Sequence, residues 1–194
     1  MRKASFLLLA LALVAGLRAQ NVGVSGSSVT YPAVSDIKVG DKTVKTVLTG
    51  TALRTKLIVN VYAIGSYVEE GAGVRSAMDL VTCDKYKRLH LVMERSISGS
   101  DFAEAFRSAV RLNYNAPMFQ EEIDTLVAYM KTTSLRKGDH IFLTHVPGVG
   151  IHIHSPGKAD FLIKNTKFSQ AIWEIYLGKN NLGDAIKKGL VSRL

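Results

Sequence analysis

The chain has 194 residues, of which 47 % are hydrophobic and 21 % charged, with a formal net charge of +9. That is a globular composition with the length for one core, and it excludes an intrinsically disordered polymer. Cys83 is the only cysteine, so an intrachain disulfide is excluded as well.

Arg2 and Lys3 precede an apolar run from Phe6 to Leu17, and Ala19 offers a small residue at a cleavage point. This is the pattern of a secretory signal peptide over residues 1–19. The run falls short of the roughly 20 apolar residues that a comfortable transmembrane helix needs, which leaves a retained membrane anchor as the alternative. No cysteine follows it, which argues against a lipid-anchored lipoprotein. The expected product is exported, periplasmic or secreted, with no membrane span after signal removal. Losing Arg2, Lys3 and Arg18 with no acid lowers the net charge to +6. The cations that remain, such as Lys38, Lys42, Lys45, Lys85, Lys87, Arg88, Lys187 and Lys188, are scattered and not interleaved with aromatics on one face. They read as solvated surface and not as a nucleic-acid site.

Residues 20–33 are rich in serine, glycine and valine and read as a loose lead-in to a folded domain over 34–194. Asp36 to Leu48 carries a Gly-Asp turn between two β-branched runs and predicts a hairpin. The longest strand is expected over about residues 56–69, with Arg54 at its head. Alternation places Val59, Val61, Ala63, Gly65 and Tyr67 on one face and Ile58, Asn60, Tyr62, Ile64 and Ser66 on the other. Both faces are largely apolar, so this strand is expected at the centre of a sheet. Side chains shrink toward Gly65, and a glycine inside a strand often marks close approach of a ligand or another backbone. Tyr67 adds a hydroxyl at the end of that thinned face. Arg54 keeps its charge under all ordinary conditions, and the nearest following acids are Glu69 and Glu70. Two readings stay open: a salt bridge to a distant carboxylate, or a clamp of Arg54 and Tyr67 on the carboxylate of a ligand whose apolar tail lies between sheet and helices.

Gly73 to Val81 reads as a short helix. Tyr86 to Ile97 is a strand with Leu89, Leu91 and Met93 facing one way and Arg88, His90 and Val92 the other. Ser98 to Asn113 is a helix whose start pairs Asp101 with Glu104 in a capping box. Pro117 opens a second amphipathic helix with acids in its first turns. Residues 139–165 give two or three strands joined by Pro/Gly turns, and the C-terminus gives two more helices. Strands, helices, strands, helices with short strand connections predict an α+β fold. Its large, mostly antiparallel sheet would be covered on one face by helices.

If Pro147 to Gly150 form a hairpin loop, His145 opposes His152, and His154 shares their face. Three imidazoles could then bind zinc or copper with a fourth position open, or form a face of neutral histidines; no partner that would orient them is visible. A nucleophile elbow, a phosphate-binding glycine-rich loop and an HExxH motif are absent from the sequence, and "GVG" at 148–150 lies between strands, so no cofactor is expected. Cys83 reads as a small buried hydrophobe.

"RTKLIVNVYAIGSYVEE", "FLTHVPGVGIHIHSPG" and "FSQAIWEIYLGKNNLGDAIKKGL" together resemble the chalcone isomerase fold, and most of all its exported bacterial chalcone-isomerase-like branch. The resemblance runs over about residues 34–194 and implies an open-faced β-sandwich: a large antiparallel sheet with helices over one face. Enzymes of this family cyclise a chalcone to a flavanone. They use an arginine before the central strand, a threonine on it, a tyrosine and an asparagine on the helix pair, and a late threonine or serine. Arg54 is similar to the arginine, with a spacing a few residues shorter. Tyr62 stands at the strand threonine, Phe119 at the tyrosine, Leu126 at the asparagine and Ile175 at the late threonine. Loss of those donors argues against chalcone cyclisation. Non-catalytic plant members bind fatty acids, with an arginine before the strand and a tyrosine at its end, which Arg54 and Tyr67 match. Phe119, Leu126 and Ile175 would make the cleft more apolar.

The resemblance therefore implies a non-catalytic protein that holds a fatty acid or similar apolar carboxylate with Arg54, Tyr67, Tyr62, Phe119, Leu126 and Ile175. The alternatives are an isomerase (intramolecular lyase) acting on a chalcone-like or other enone, and an envelope metal-binding or interaction module.

Overall fold

The structure, a computed structural model, describes residues 20–194. The expected signal segment over 1–19 lies outside the described residues. In chain order the elements are β1 (Asn21–Gly23), β2 (Thr30–Pro32), β3 (Val34–Val39), β4 (Lys42–Lys56), β5 (Val59–Glu69), α1 (Ala77–Thr82), β6 (Lys87–Met93), β7 (Ile97–Ser98), α2 (Gly99–Val110), α3 (Gln120–Lys131), β8 (Ser134–Leu135), β9 (His140–Val146), β10 (Gly150–His154), β11 (Phe161–Ile163), α4 (Thr166–Leu177) and α5 (Asp184–Leu190).

Seven strands form one antiparallel sheet in the order β11-β10-β9-β6-β5-β4-β3. The fold is α+β, as expected. Tyr62, Ile64 and Val68 of β5 and Leu89, Leu91 and Met93 of β6 face the helices. They pack with Phe102 and Phe106 of α2, Ile123 and Leu126 of α3, and Ile172 and Trp173 of α4. Burial of this layer on one side of the sheet is the main apolar contribution to stability.

The opposite face of β5 is also covered. Residues 20–33 are not a loose lead-in: β1 and β2 pair with each other, and Tyr31 is fully buried against Leu48, Ala63, Tyr67 and Val92. The chain is anchored there by Leu48 N–H donating to Ala33 carbonyl at 2.9 Å and by Ser27 hydroxyl bonding the Glu94 carboxylate. The polar, glycine-rich composition hides this because one aromatic, Tyr31, carries most of the packing. Its ring is what approaches Gly65: a Cβ there would lie 2.8 Å from Tyr31 Cδ1.

The long strand divides differently from the expected 56–69. β4 runs through Arg54 to Lys56, and a two-residue turn, Leu57–Ile58, leads into β5. Both turn residues are apolar, so hydrophobicity shows no break there. Arg54 therefore sits near the end of β4, opposite Tyr62. A register shift between Arg54 and Thr55 leaves Val61 as an extra residue on β5. A second shift, between Leu48 and Gly50, frees Thr49, whose hydroxyl lies 2.8 Å from the Ser66 hydroxyl and from the Leu190 carbonyl. There α5 meets β4 backbone to backbone: a Cβ at Gly50 would fall 2.1 Å from the Gly189 carbonyl oxygen, and one at Gly189 2.5 Å from that of Thr51.

One helix keeps its start with a different cap, and another starts later. Ser98, not Asp101, caps α2, accepting from Asp101 N–H at 3.0 Å while its hydroxyl donates to the Asp101 carboxylate at 2.8 Å. α3 begins at Gln120 and not at Pro117, because Phe119 adopts a left-handed φ of 56°.

The histidine patch is corrected by one residue of register. Gly150 itself pairs with Val146, so Ile151 opposes His145 while His152 opposes Thr144. A one-residue shift exchanges the faces of a strand. His145 points into the helix layer, bonded to Asp84 and to Ser169 at 2.8 Å each. His152 and His154 lie on the other face, against Asp160 at 3.2 and 2.5 Å. Among the described residues, no group of three His, Cys, Asp or Glu side chains is placed to hold a metal ion. His90 also lies on that face, stacked on Phe142 at 4.3 Å, with Tyr31 edge-on at 5.1 Å and His140 Nδ1 at 2.8 Å from its Nε2.

Two outcomes follow from this packing. Gly65→Ala should lower stability by about 1–3 kcal/mol in urea unfolding, and Tyr31→Ala should make that added methyl nearly neutral; additive losses would mean the ring is not the obstacle. Burial, then His140 and Arg88, draw the His90 imidazole down to about 3. Unfolded His90, with its pKa of roughly 6.5, takes a proton that the folded form refuses, so stability should fall as pH drops from about 6.5 toward 3. His90→Gln should flatten that acid slope in urea midpoints taken at neutral pH and about 4.5.

Candidate functional site

A cleft of about 490 Å³ opens between the ends of β4 and β5, α2, α4 and the segment before α5. Ligand pockets commonly enclose roughly 300–1,000 Å³. Its apolar walls are Phe102, Phe106 and Ala109 from α2, Ile175 from α4, and Leu182. Phe102, Phe106 and Ala109 recur at helical spacing, so one face of α2 supplies one wall. The extra residue in β5 turns both Val61 and Tyr62 toward this space. Lys56 and Arg95 line the strand side, and Asp101 and Glu104 line the α2 side.

Three polar groups converge inside. Arg54 is half-buried, and its Nη1 donates to the Leu182 carbonyl at 3.2 Å. The ion pairs among the described residues involve Lys45, Arg107, His145, His152 and His154, and none involves Arg54. A guanidinium has five N–H donors, so most of its capacity is left for another acceptor. Tyr62 and Tyr176 meet hydroxyl to hydroxyl at 3.2 Å. Burial raises both phenols, and the Arg54 charge opposes that rise only in part. Both therefore stay neutral near pH 7. When one donates to the other, one O–H proton remains for a third group. The cleft thus offers a cation, a phenol donor and stretches of hydrocarbon, with Lys56, Arg95, Asp101 and Glu104 lining the rest.

The residues singled out in the sequence divide around this cleft. Arg54, Tyr62 and Ile175 line it. Tyr67 does not: it lies on the opposite sheet face, 2 % exposed, and its hydroxyl donates to the Pro32 carbonyl at 3.0 Å. The expected Arg54–Tyr67 clamp is therefore not formed, because the alternation that aims Tyr62 at the helices aims Tyr67 away. Phe119 packs against Tyr114 and Phe168, at 4.9 and 5.5 Å between ring centres, and Leu126 is fully buried in the core; neither lines the cleft. Tyr176 was missed although it adjoins Ile175, and Phe102 and Phe106 were legible as an i, i+4 pair.

Asp84, His145 and Ser169 form a chain of hydrogen bonds like that of a serine nucleophile site. Ser169 is fully buried and lines neither the cleft nor the small void near Phe102 and Met130. The group runs from the exposed Asp84 to the buried Ser169 and lies next to Lys87, whose ammonium donates to the carbonyls of Leu80, Val81 and Cys83 at 2.7–2.9 Å and lies over the Trp173 ring at 5.0 Å.

No curated protein sequence matches the chain. Among solved structures it is similar to a fatty-acid binding protein of Arabidopsis thaliana, with 18 % identity and a TM-score of 0.68 over 89 % of this chain and 96 % of that one. At that identity the likeness is one of fold. The model of the chalcone isomerase-like family matches residues 27–192. That match takes in β2, the whole sheet and every helix described above, and the chain belongs to the chalcone isomerase-like family.

Proposed function

We propose that this is an exported, non-catalytic protein that binds a fatty acid or similar apolar carboxylate in the cleft. The observation that carries the reading is Arg54: a cation in a cleft walled in part by hydrocarbon, bonded to a carbonyl and to no acid among the described residues. A carboxylate there accepts from the guanidinium and from the free hydroxyl of the Tyr62–Tyr176 pair, and its hydrocarbon lies along Phe102, Phe106, Ile175 and Leu182. Tyr62 and Tyr176 take the place that the sequence reading gave to Tyr67. The likeness in fold to a fatty-acid binding protein supports the same ligand class. Export rests on the residue pattern over 1–19.

One observation favours a second reading. A cation and two neutral phenols converging on one point could also stabilise an enolate, as an isomerase acting on an enone would require. Incubation with chalcones separates the two: turnover above the uncatalysed rate supports the enzyme, and tight binding of an acyl carboxylate without turnover supports the binder.

Extraction of the purified protein should release an acyl carboxylate identifiable by mass spectrometry. In a fluorescent fatty-acid displacement assay, Arg54→Ala should weaken binding by about 10–100-fold, the worth of a charge-assisted hydrogen bond of roughly 1.5–3 kcal/mol. Arg54→Lys should recover part of it, since an ammonium keeps the charge and loses the fork. Equal binding by Arg54→Ala would remove Arg54 from the site. Tyr62→Phe should weaken binding about 3–10-fold, because the Tyr176 hydroxyl loses its neighbour but keeps its proton; no change would exclude the phenol pair from carboxylate contact.

A further inference from the structure

Leu57 and Ile58 have no part in the core. They form the turn between β4 and β5 and are 94 % and 96 % exposed, far above the next large hydrophobic among the described residues, Met118 at 54 %. Val59 beside them is 44 % exposed. Two-residue hairpin turns favour Asn-Gly, Asp-Gly or glycine pairs, because they call for left-handed backbone. Leu57 holds such a backbone, with φ of 57°, which a leucine adopts under strain. Bulky apolar side chains thus occupy a position where they hinder the turn and pack against nothing.

We propose that this hairpin tip docks the protein on an anionic lipid bilayer, with Leu57 and Ile58 entering the acyl boundary and Lys56 and Arg95 meeting the headgroups. Lys56 and Arg95 are both exposed and line the strand side of the cleft beside the tip. The cleft's carboxylates, Asp101 and Glu104, belong to α2 on the other wall. Large apolar side chains flanked by cations suit the interface of a membrane with anionic lipids. A protein partner fits the tip less well, because a stable interface covers about 800 Å² on each partner and two side chains on a hairpin end do not supply it. Lys56 and Val61, which bracket the tip, also line the cleft. Docking would therefore hold the cleft mouth near the bilayer, where apolar carboxylates partition. The docking itself does not depend on what fills the cleft.

The test is sedimentation of the full chain with vesicles of phosphatidylglycerol and phosphatidylcholine, and with phosphatidylcholine alone, at low salt. Leu57→Gly/Ile58→Asn places glycine at the position of positive φ, as a two-residue turn with glycine first favours, so its melting temperature should hold or rise. Any contribution of residues 1–19 is common to both proteins. The wild type should bind the anionic vesicles at least tenfold more tightly than the variant, and hydrogen exchange at Val59 and Asn60 should slow on vesicle addition. Arg54→Ala should still sediment, so loss of ligand binding and loss of docking are separable. Equal sedimentation of wild type and variant, unchanged exchange at the tip, or binding to neither vesicle would overturn the proposal; the last would leave a protein as the partner to seek.

Discussion

The structure depends on β5 being buried on both faces. A strand apolar on one side needs one partner layer, whereas this strand needs two. Helices α2, α3 and α4 cover the even-numbered residues Tyr62, Ile64 and Val68. The second cover is only a short hairpin, and it suffices because Ala63 and Gly65 have withdrawn their bulk and let one tyrosine ring lie against the backbone. The small residues that looked like room for a ligand are room for Tyr31. Space for a ligand lies on the other side, toward the end of the strands.

That division decides which polar residues can cooperate. Arg54 faces Tyr62 across the β4–β5 pair, and both face the helices, so they share the cleft with Tyr176. Tyr67 is farther along the same strand and points through the sheet. A cation and a phenol on one strand pair are functionally joined only when their side-chain parity agrees, and the extra residue at Val61 sets that parity near Arg54. The histidines make the same point at the other edge, where one residue of loop length sends His145 inward and leaves His152 and His154 outside.

The α+β class, the antiparallel sheet and most elements could be read from period and turn residues, because apolar alternation and helical spacing report burial directly. Three features escaped for physical reasons. The Leu57–Ile58 turn is made of strand-forming apolar residues, so composition could not mark it. The hairpin of residues 20–33 is polar except at a few positions, and it is held by long-range contacts, chiefly the burial of Tyr31 against β5. Register around bulges and loops depends on backbone geometry that one sequence does not encode locally, and that is why Arg54, Tyr62 and Ile175 were found while Tyr67 was misplaced and Tyr176 overlooked.

The contact between α5 and β4 has a further consequence. Backbone meets backbone there at Gly50 and Gly189, the Thr49 hydroxyl bonds the Leu190 carbonyl, and Ile186 and Leu190 are buried in the core, so the helix is held closely against the strand. The end of α4 is likewise fixed by its place in the core. The chain between them, from Gly178 to Gly183, carries Leu182 into the cleft and its carbonyl to Arg54. Between these two packed anchors, the short connection acts as a gauge for the cleft. Residues added or removed there would change the length of the cleft while leaving the sheet and its helix layer as they are.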